Sequence, residues 1–208
     1  RYGLIHGVPN ILGALKDCNI KASFAAVMGG ESGLVDLLKY RGGERGLMGG
    51  SKIPLTDRMR MAIMPVNFAE EQKETLQRIT REGHTLGVHG WRHRPWTRAL
   101  GEIDVGGHVR LATEKYRQLF GVNPKHFVSP GFKVNLKVLE ALDENGYEFA
   151  SDLPGEKPFT PQAGGRRFKC VQVPVTLKAE DTSPLTEHYA LQGIPDDEIT
   201  RKIADEVI

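Results

Sequence analysis

The stretch Asn67-Phe-Ala-Glu-Glu-Gln-Lys-Glu-Thr-Leu-Gln-Arg-Ile-Thr-Arg-Glu-Gly83-His-Thr-Leu-Gly-Val-His89-Gly-Trp-Arg-His93 contains one helix-to-strand unit and ends on two histidines. Asn67 with Glu70 three residues later reads as a capping box, because each side chain can satisfy a backbone N–H orphaned at a helix start. Phe68 to Glu82 then reads as a polar amphipathic helix, stopped by Gly83. His84-Thr-Leu-Gly-Val-His89 follows as a strand.

The same alternation extends in both directions. Val8 to Cys18 reads as a helix with Pro9 tolerated in its first turn and Asn19 as its stop. Lys21 to Met28 is a buried strand ending at Gly29-Gly30, and a short helix is expected over Gly33 to Tyr40. Arg41 to Val66 breaks the pattern with five glycines, two prolines and four of the five methionines, as an irregular insertion would. Beyond His93, a helix is expected from about Glu102 to Phe120, with Val105, Val109, Ala112, Tyr116 and Leu119 on one side. Lys125 to Ser129 is a short strand, Asn135 caps a helix through Asn145 that Gly146 ends, and Tyr147 to Ser151 is the next strand. Arg167 to Thr176 reads as another strand. Asp196 caps a last helix on which Ile199, Ile203 and Val207 recur every four residues. Strands alternating with helices of this length imply parallel βα units, hence an α/β sheet or barrel. In such folds chemistry gathers at the carboxyl ends of the strands. Those ends are Met28–Gly30, His89–Trp96, Ser129–Lys133, Ser151–Asp152 and Thr176.

Composition fits this reading. The 208 residues suit a single domain spanning 1–208, and 39% hydrophobic with 26% charged residues is ordinary for a globular chain. A formal net charge of +2 gives no polyanion-seeking surface, so no nucleic-acid partner is expected. Cys18 and Cys170 are too few for a disulfide framework and are expected as free thiols. No run approaches the roughly 18 apolar residues of a membrane span. Arg1 is not an initiator Met and Asp205-Glu-Val-Ile208 stops inside a helical pattern, so the domain is expected to be truncated at both ends.

His89 and His93 carry the chemistry. Gly90 and Pro95 favour a loop past the strand end, in which two neutral imidazoles can converge on a divalent metal: zinc first, with nickel, cobalt or iron as alternatives. A hydrolytic site also needs a third ligand, commonly a carboxylate, and an open position for water. Spacing alone leaves a chance surface pair open, but the strand-end location beside Trp91 and Trp96 favours the metal. His84 stands about 15 Å away at roughly 3.3 Å per residue and is expected to be structural, as are His6, His108, His126 and His188.

Gly83-His-Thr-Leu-Gly-Val-His-Gly-Trp-Arg-His93 resembles the second motif of the polysaccharide deacetylase (NodB homology) family. Leu86-Gly-Val-His-Gly-Trp-x-His-x-x-Trp96, Gly131-Phe-Lys133, Ser151-Asp152, Gln172-Val-Pro-Val-Thr-Leu177 and Gly7-Val-Pro resemble its 4-deoxy-4-formamido-L-arabinose-phosphoundecaprenol deformylase branch. The resemblance implies a distorted, incomplete (β/α) barrel with its terminal strands missing from residues 1–208. It also implies an Asp-His-His metal site to which His89 and His93 contribute, and hydrolytic removal of a formyl or acetyl group from the nitrogen of an amino sugar, here lipid-linked. The family's third motif usually reads Arg-x-Pro-x-aromatic; here it is Val128-Ser-Pro-Gly-Phe132, so Val128 replaces the Arg. Trp91, Pro130, Gly131, Phe132 and Lys133 become substrate-binding candidates, with Phe132 an apolar wall and Lys133 a partner for an anionic group or a solvated surface lysine. Asp152 is a candidate to orient the site from behind, or else a turn residue.

The family's general-base and metal-binding Asp pair is expected before Arg1, and its general-acid His after Ile208. No catalytic proton-transfer residue is therefore assigned within 1–208. Deacetylation of chitin or peptidoglycan oligosaccharides, and a non-catalytic sugar- or metal-binding module, remain as alternative functions. Leu47, Met48, Met59, Met61, Ile63 and Met64 among Lys52, Arg58 and Arg60 fit either a lid or a peripheral membrane contact. The expected location is cytoplasmic or peripheral on the membrane.

Overall fold

The computed structural model describes residues 3–30, 39–40, 67–176 and 185–207. The expected helix over 33–40 and the insertion at 41–66 lie essentially outside these residues. Five strands run parallel in one sheet, ordered β1 (Ser23–Ala26), β2 (Thr85–Val88), β3 (His126–Phe127), β4 (Phe149–Ala150) and β7 (Val171–Gln172). Among the described residues the edge strands β1 and β7 do not pair with each other, so the sheet is open. A parallel α/β architecture of the expected class is observed, with shorter strands than the sequence implies.

Helices cover the sheet. A π-helical turn at Gly3–Gly7 leads into α1 (Val8–Asp17), with Pro9 in the first turn. Asn19, at φ 54°, turns the chain toward β1. The expected helix over 68–82 is split into α2 (Phe68–Glu71) and α3 (Lys73–Arg81), because Gln72 leaves helical geometry at φ −117° and ψ 28°. Two tertiary ties hold α2 off the α3 axis: Asn67 Nδ2 donates to Met28 O at 3.2 Å, and Glu70 pairs with Lys115. The Asn67 cap itself is present, its Oδ1 accepting the Glu70 N–H at 3.2 Å. Next come α4 (His93–Ala99), α5 (Val105–Phe120) and α6 (Leu136–Glu144). Asp104 starts α5 three residues later than expected, by accepting the Gly107 N–H at 2.9 Å. Asn135 caps α6 as expected, taking the Val138 N–H at 3.1 Å. The chain ends in α7 (Leu185–Leu191) and α8 (Asp196–Val207), of which α7 has no counterpart in the sequence reading.

The expected strand over 167–176 is corrected. The chain there forms an antiparallel hairpin, β5 (Gln162–Ala163) with β6 (Arg166–Arg167), and only then β7. Gly164 and Gly165, at φ 58° and 74°, supply the two left-handed positions that a two-residue turn with the strands' own twist requires. The Asp143 carboxylate accepts the N–H groups of Lys169 and Cys170, each at 2.9 Å, and turns the chain between β6 and β7.

The core lies between sheet and helices, with Leu12, Leu76, Ile79, Val88, Val109, Phe127 and Leu142 buried. Gly87 fixes how closely β2 and β3 approach: a Cβ there would stand 2.5 Å from His126 O. His126 is itself buried and stacked on Phe149, and His84 Nδ1 accepts the Ala22 N–H at 3.2 Å. Both histidines are structural. Cys18 and Cys170 are free thiols.

Candidate metal centre

The β1–β2 ladder continues past both strands and carries the histidine loop with it. His89 N–H bonds to Ala26 O at 2.8 Å, Met28 N–H to Gly90 O at 3.1 Å, and Gly29 N–H to Trp91 O at 2.7 Å. Arg92 Nε donates to Gly30 O at 3.1 Å, tying the end of the loop to the same edge. Gly90 turns the chain at φ 75°, with Pro130 lying against its Cα. Trp91 packs flat over Gly29, where a Cβ would come within 2.7 Å of the indole ring.

His93 is the first residue of α4 rather than part of a loop, a correction to the sequence reading. Pro95 is the reason: within the first turn of a helix its missing N–H costs nothing, so it starts this helix instead of preventing it. The His89 and His93 rings are 5.3 Å apart between centroids. His89 Nδ1 lies 2.8 Å from Val128 O. A carbonyl only accepts, so Nδ1 carries the proton and Nε2 keeps its lone pair. Burial, with His93 adding to it, lowers the His89 pKa to about 4, so the imidazole is neutral near pH 7.

Ser129 to Lys133 forms the facing wall. Pro130–Phe132 is a single 3-10 turn in which Gly131 and Phe132 adopt φ 63° and 53°. For a bulky aromatic that conformation is strained and persists only where the surroundings enforce it. They do so here. Buried Trp96 donates its Nε1–H to Lys133 O at 3.0 Å, and Lys133 Nζ donates to Thr97 O at 2.6 Å. Trp96 is thus a pillar between α4 and this turn, and Lys133 spends one of its three donors on the helix while staying exposed.

Behind that wall lies Asp152, 1% exposed at the end of β4. Its Oδ1 accepts the Ser129 N–H at 2.5 Å, and its own N–H donates to Gln172 Oε1 at 3.2 Å. Burial raises its pKa to about 7, against the Ser129 backbone N–H and the nearby Ser129 hydroxyl, which pull it down. That hydroxyl nonetheless completes no hydrogen bond of good geometry. Among the described residues, Asp152 Oδ2, Ser129 Oγ and Gln172 Nε2 find no partner. Gln172 and Ser129 are site residues that the sequence reading gave no role. β7 ends at Gln172, so Gln172 rather than Thr176 occupies that strand end; the signal available was a polar residue inside an apolar strand.

The ring separation can be compared with what a shared divalent ion requires. Two imidazoles bound through Nε2 at about 2.0–2.1 Å in tetrahedral arrangement place their centroids about 5.2 Å apart, close to the 5.3 Å observed. Among the described residues no third His, Cys, Asp or Glu joins them. Two cavities lie elsewhere: about 310 Å³ beside Asp104, Lys137 and Glu140, and about 360 Å³ beside Lys21, Arg78 and His84. Neither is lined by His89 or His93.

Residues 55–150 match the family model described as polysaccharide deacetylase. Proteins of Wigglesworthia glossinidia brevipalpis and Shewanella sediminis (strain HAW-EB3), described as 4-deoxy-4-formamido-L-arabinose-phosphoundecaprenol deformylases, are each 28% identical over 102 residues, or 47% and 48% of this chain. The matched region is about a third of those relatives, 36% and 32% of their lengths. The crystal structure of a protein from Mycobacterium smegmatis described as a polysaccharide deacetylase superposes with a TM-score of 0.56 at 21% identity. It covers 84% of this chain and 47% of that one, and shares the fold. His89, His93 and the Pro130–Phe132 turn all lie inside the segment 55–150 that is similar to the polysaccharide deacetylase family.

Proposed function

We propose that this chain is part of a metal-dependent hydrolase that removes an N-acyl group, formyl or acetyl, from an amino sugar. The observation that carries the reading is the His89–His93 pair: two imidazoles with ring centroids 5.3 Å apart, His89 with its Nε2 lone pair left free by the Nδ1–H···O=C bond to Val128. Metal-bound histidines characteristically donate their second ring N–H in this way. His89 and His93 would hold the ion, and the third donor comes from outside the described residues. A divalent metal, zinc in the first instance, supplies Lewis-acid chemistry there, polarising an acyl carbonyl and easing the ionisation of water.

The chain's own residues shape the rest. Trp91, shelved on Gly29, and Phe132, in the turn that Trp96 ties down through Lys133 O, would offer apolar surfaces for a sugar ring. Lys133 keeps donors on an exposed ammonium for an anionic part of the substrate. Water and the amide are consumed, and formate or acetate and a free amine leave. A lipid-linked formamido sugar is the proposed substrate, on the similarity to the deformylases. The test is formate and acetate release by the full-length protein from N-formyl and N-acetyl amino sugars, before and after chelation. Release of formate that is lost on chelation, restored by zinc and absent in His89→Ala is expected; hydrolysis that survives His89→Ala would remove the assignment.

A further inference from the structure

The carbonyl that holds His89 and the N–H that holds Asp152 belong to one peptide group. Val128 O accepts His89 Nδ1–H at 2.8 Å, and the adjoining Ser129 N–H donates to Asp152 Oδ1 at 2.5 Å. We propose that Asp152 is a positioning residue that acts on His89 through the Val128–Ser129 peptide, forming a carboxylate–peptide–imidazole relay across β4, β3 and β2. The proposal rests on His89 as a metal ligand for its consequence, although the relay is a property of the metal-free chain.

Three features support it. Aligned hydrogen bonds polarise one another in a low-dielectric interior, so a carboxylate on the N–H makes the same peptide's oxygen a stronger acceptor. That strengthens the Nδ1–H bond, fixes the Nε2 lone pair toward the ligand position and makes the imidazole a better donor. The acid's end of the path is shielded, Ser129 being 0% exposed and Asp152 1%, while Val128 and His89 are half-buried. Asp152 is moreover held in place, since Gln172 at the end of β7 accepts its backbone N–H. An acid this buried is expensive to keep unless its orientation serves something. The peptide is the one group among the described residues to which its side chain forms a hydrogen bond of good geometry.

The test uses Asp152→Asn, which keeps shape and an acceptor oxygen but removes the charge. In metal-free full-length protein with ¹⁵N-labelled histidine, at about pH 8.5, His89 should show an Nδ1–H tautomer that shifts measurably toward Nε2–H in the variant. Zinc affinity, measured by competition with a chromogenic chelator, should fall about tenfold, the lower end of what losing a ligand's hydrogen-bond partner costs. Ser129→Pro should do the same by deleting the donor, because φ −68° at that position suits proline. Should neither variant fold, scalar couplings across the two hydrogen bonds in the wild-type chain decide it: both must be present, and absence of either refutes the relay. A folded Asp152→Asn with unchanged tautomer and zinc affinity overturns the proposal. A tautomer that responds in a protein taking up no zinc supports the relay and overturns the metal reading instead.

Discussion

Gly29→Ala is the substitution whose effect follows most directly from the packing. The added Cβ would meet the Trp91 indole at 2.7 and 2.8 Å, and would also strike the Trp91 carbonyl. Ordinary contact between such atoms is about 3.5–4.0 Å, so Trp91 must retreat by about 1 Å. It lies between His89 and His93, and cannot move alone. Overpacking of this kind costs about 1–3 kcal/mol, and losing the Gly29 N–H···O Trp91 bond adds about 1 kcal/mol. The sum, about 2–4 kcal/mol, is a large part of a typical stability of about 5–15 kcal/mol. For a domain of this size it corresponds to a fall in Tm of about 4–16 °C. Spreading the two imidazoles should also weaken zinc binding by about tenfold or more. Calorimetric unfolding of the full-length protein and a competitive zinc titration read the two effects. A variant within about 1 °C of wild type that binds zinc as tightly would show that the Trp91 shelf does not position the histidines.

Trp96→Phe removes the Nε1–H bond to Lys133 O; stability measured by urea unfolding should fall by about 1–3 kcal/mol, the cost of leaving a buried acceptor unmet. Phe132→Gly relieves a left-handed aromatic, worth about 1–2 kcal/mol, which offsets the packing that the ring provided. Its stability should stay close to wild type while KM for the amino-sugar substrate rises, and an unchanged KM would exclude Phe132 from the sugar pocket. Asp152 gives a pH dependence with a definite sign. Its folded-state pKa, about 7, exceeds its ordinary 3.8, so the folded chain retains a proton that the unfolded chain gives up. Stability from this group is full below about pH 4 and is lost as pH rises toward 7. Asp152→Asn should flatten that fall in a urea-unfolding series, and an unaltered slope would contradict it. The same balance gives the ionised acid needed for the relay a stability cost above pH 7.

Much of the scaffold was legible from the chain. The Asn67 and Asn135 side chains cap helices, and Gly83 and Gly146 take positive φ at helix ends, because capping chemistry is local. Burial of Val105, Val109, Ala112 and Tyr116 along one side of α5 followed from their spacing. What failed depended on tertiary partners. Gln72 breaks a helix because Asn67 and Glu70 are bound elsewhere, and the Asp143 carboxylate splits the expected last strand from far along the chain. Pro95 pointed to a loop only because its place in a helix's first turn was unknown. His89 and Asp152 follow β2 and β4, on either side of β3, whereas His93 begins a helix. The peptide joining His89 to Asp152 was invisible, since backbone groups leave no trace in residue identity. Gln172 was hidden for a related reason: its role is to accept a backbone N–H.

The central claim, that His89 and His93 bind a catalytic divalent metal, is tested most directly by anomalous diffraction at the zinc edge from zinc-loaded crystals of the full-length protein. The account predicts one peak bonded to Nε2 of both His89 and His93 at about 2.0–2.1 Å, with His89 Nδ1 still on Val128 O. No peak between these rings, or a zinc bound elsewhere in an active enzyme, would contradict it.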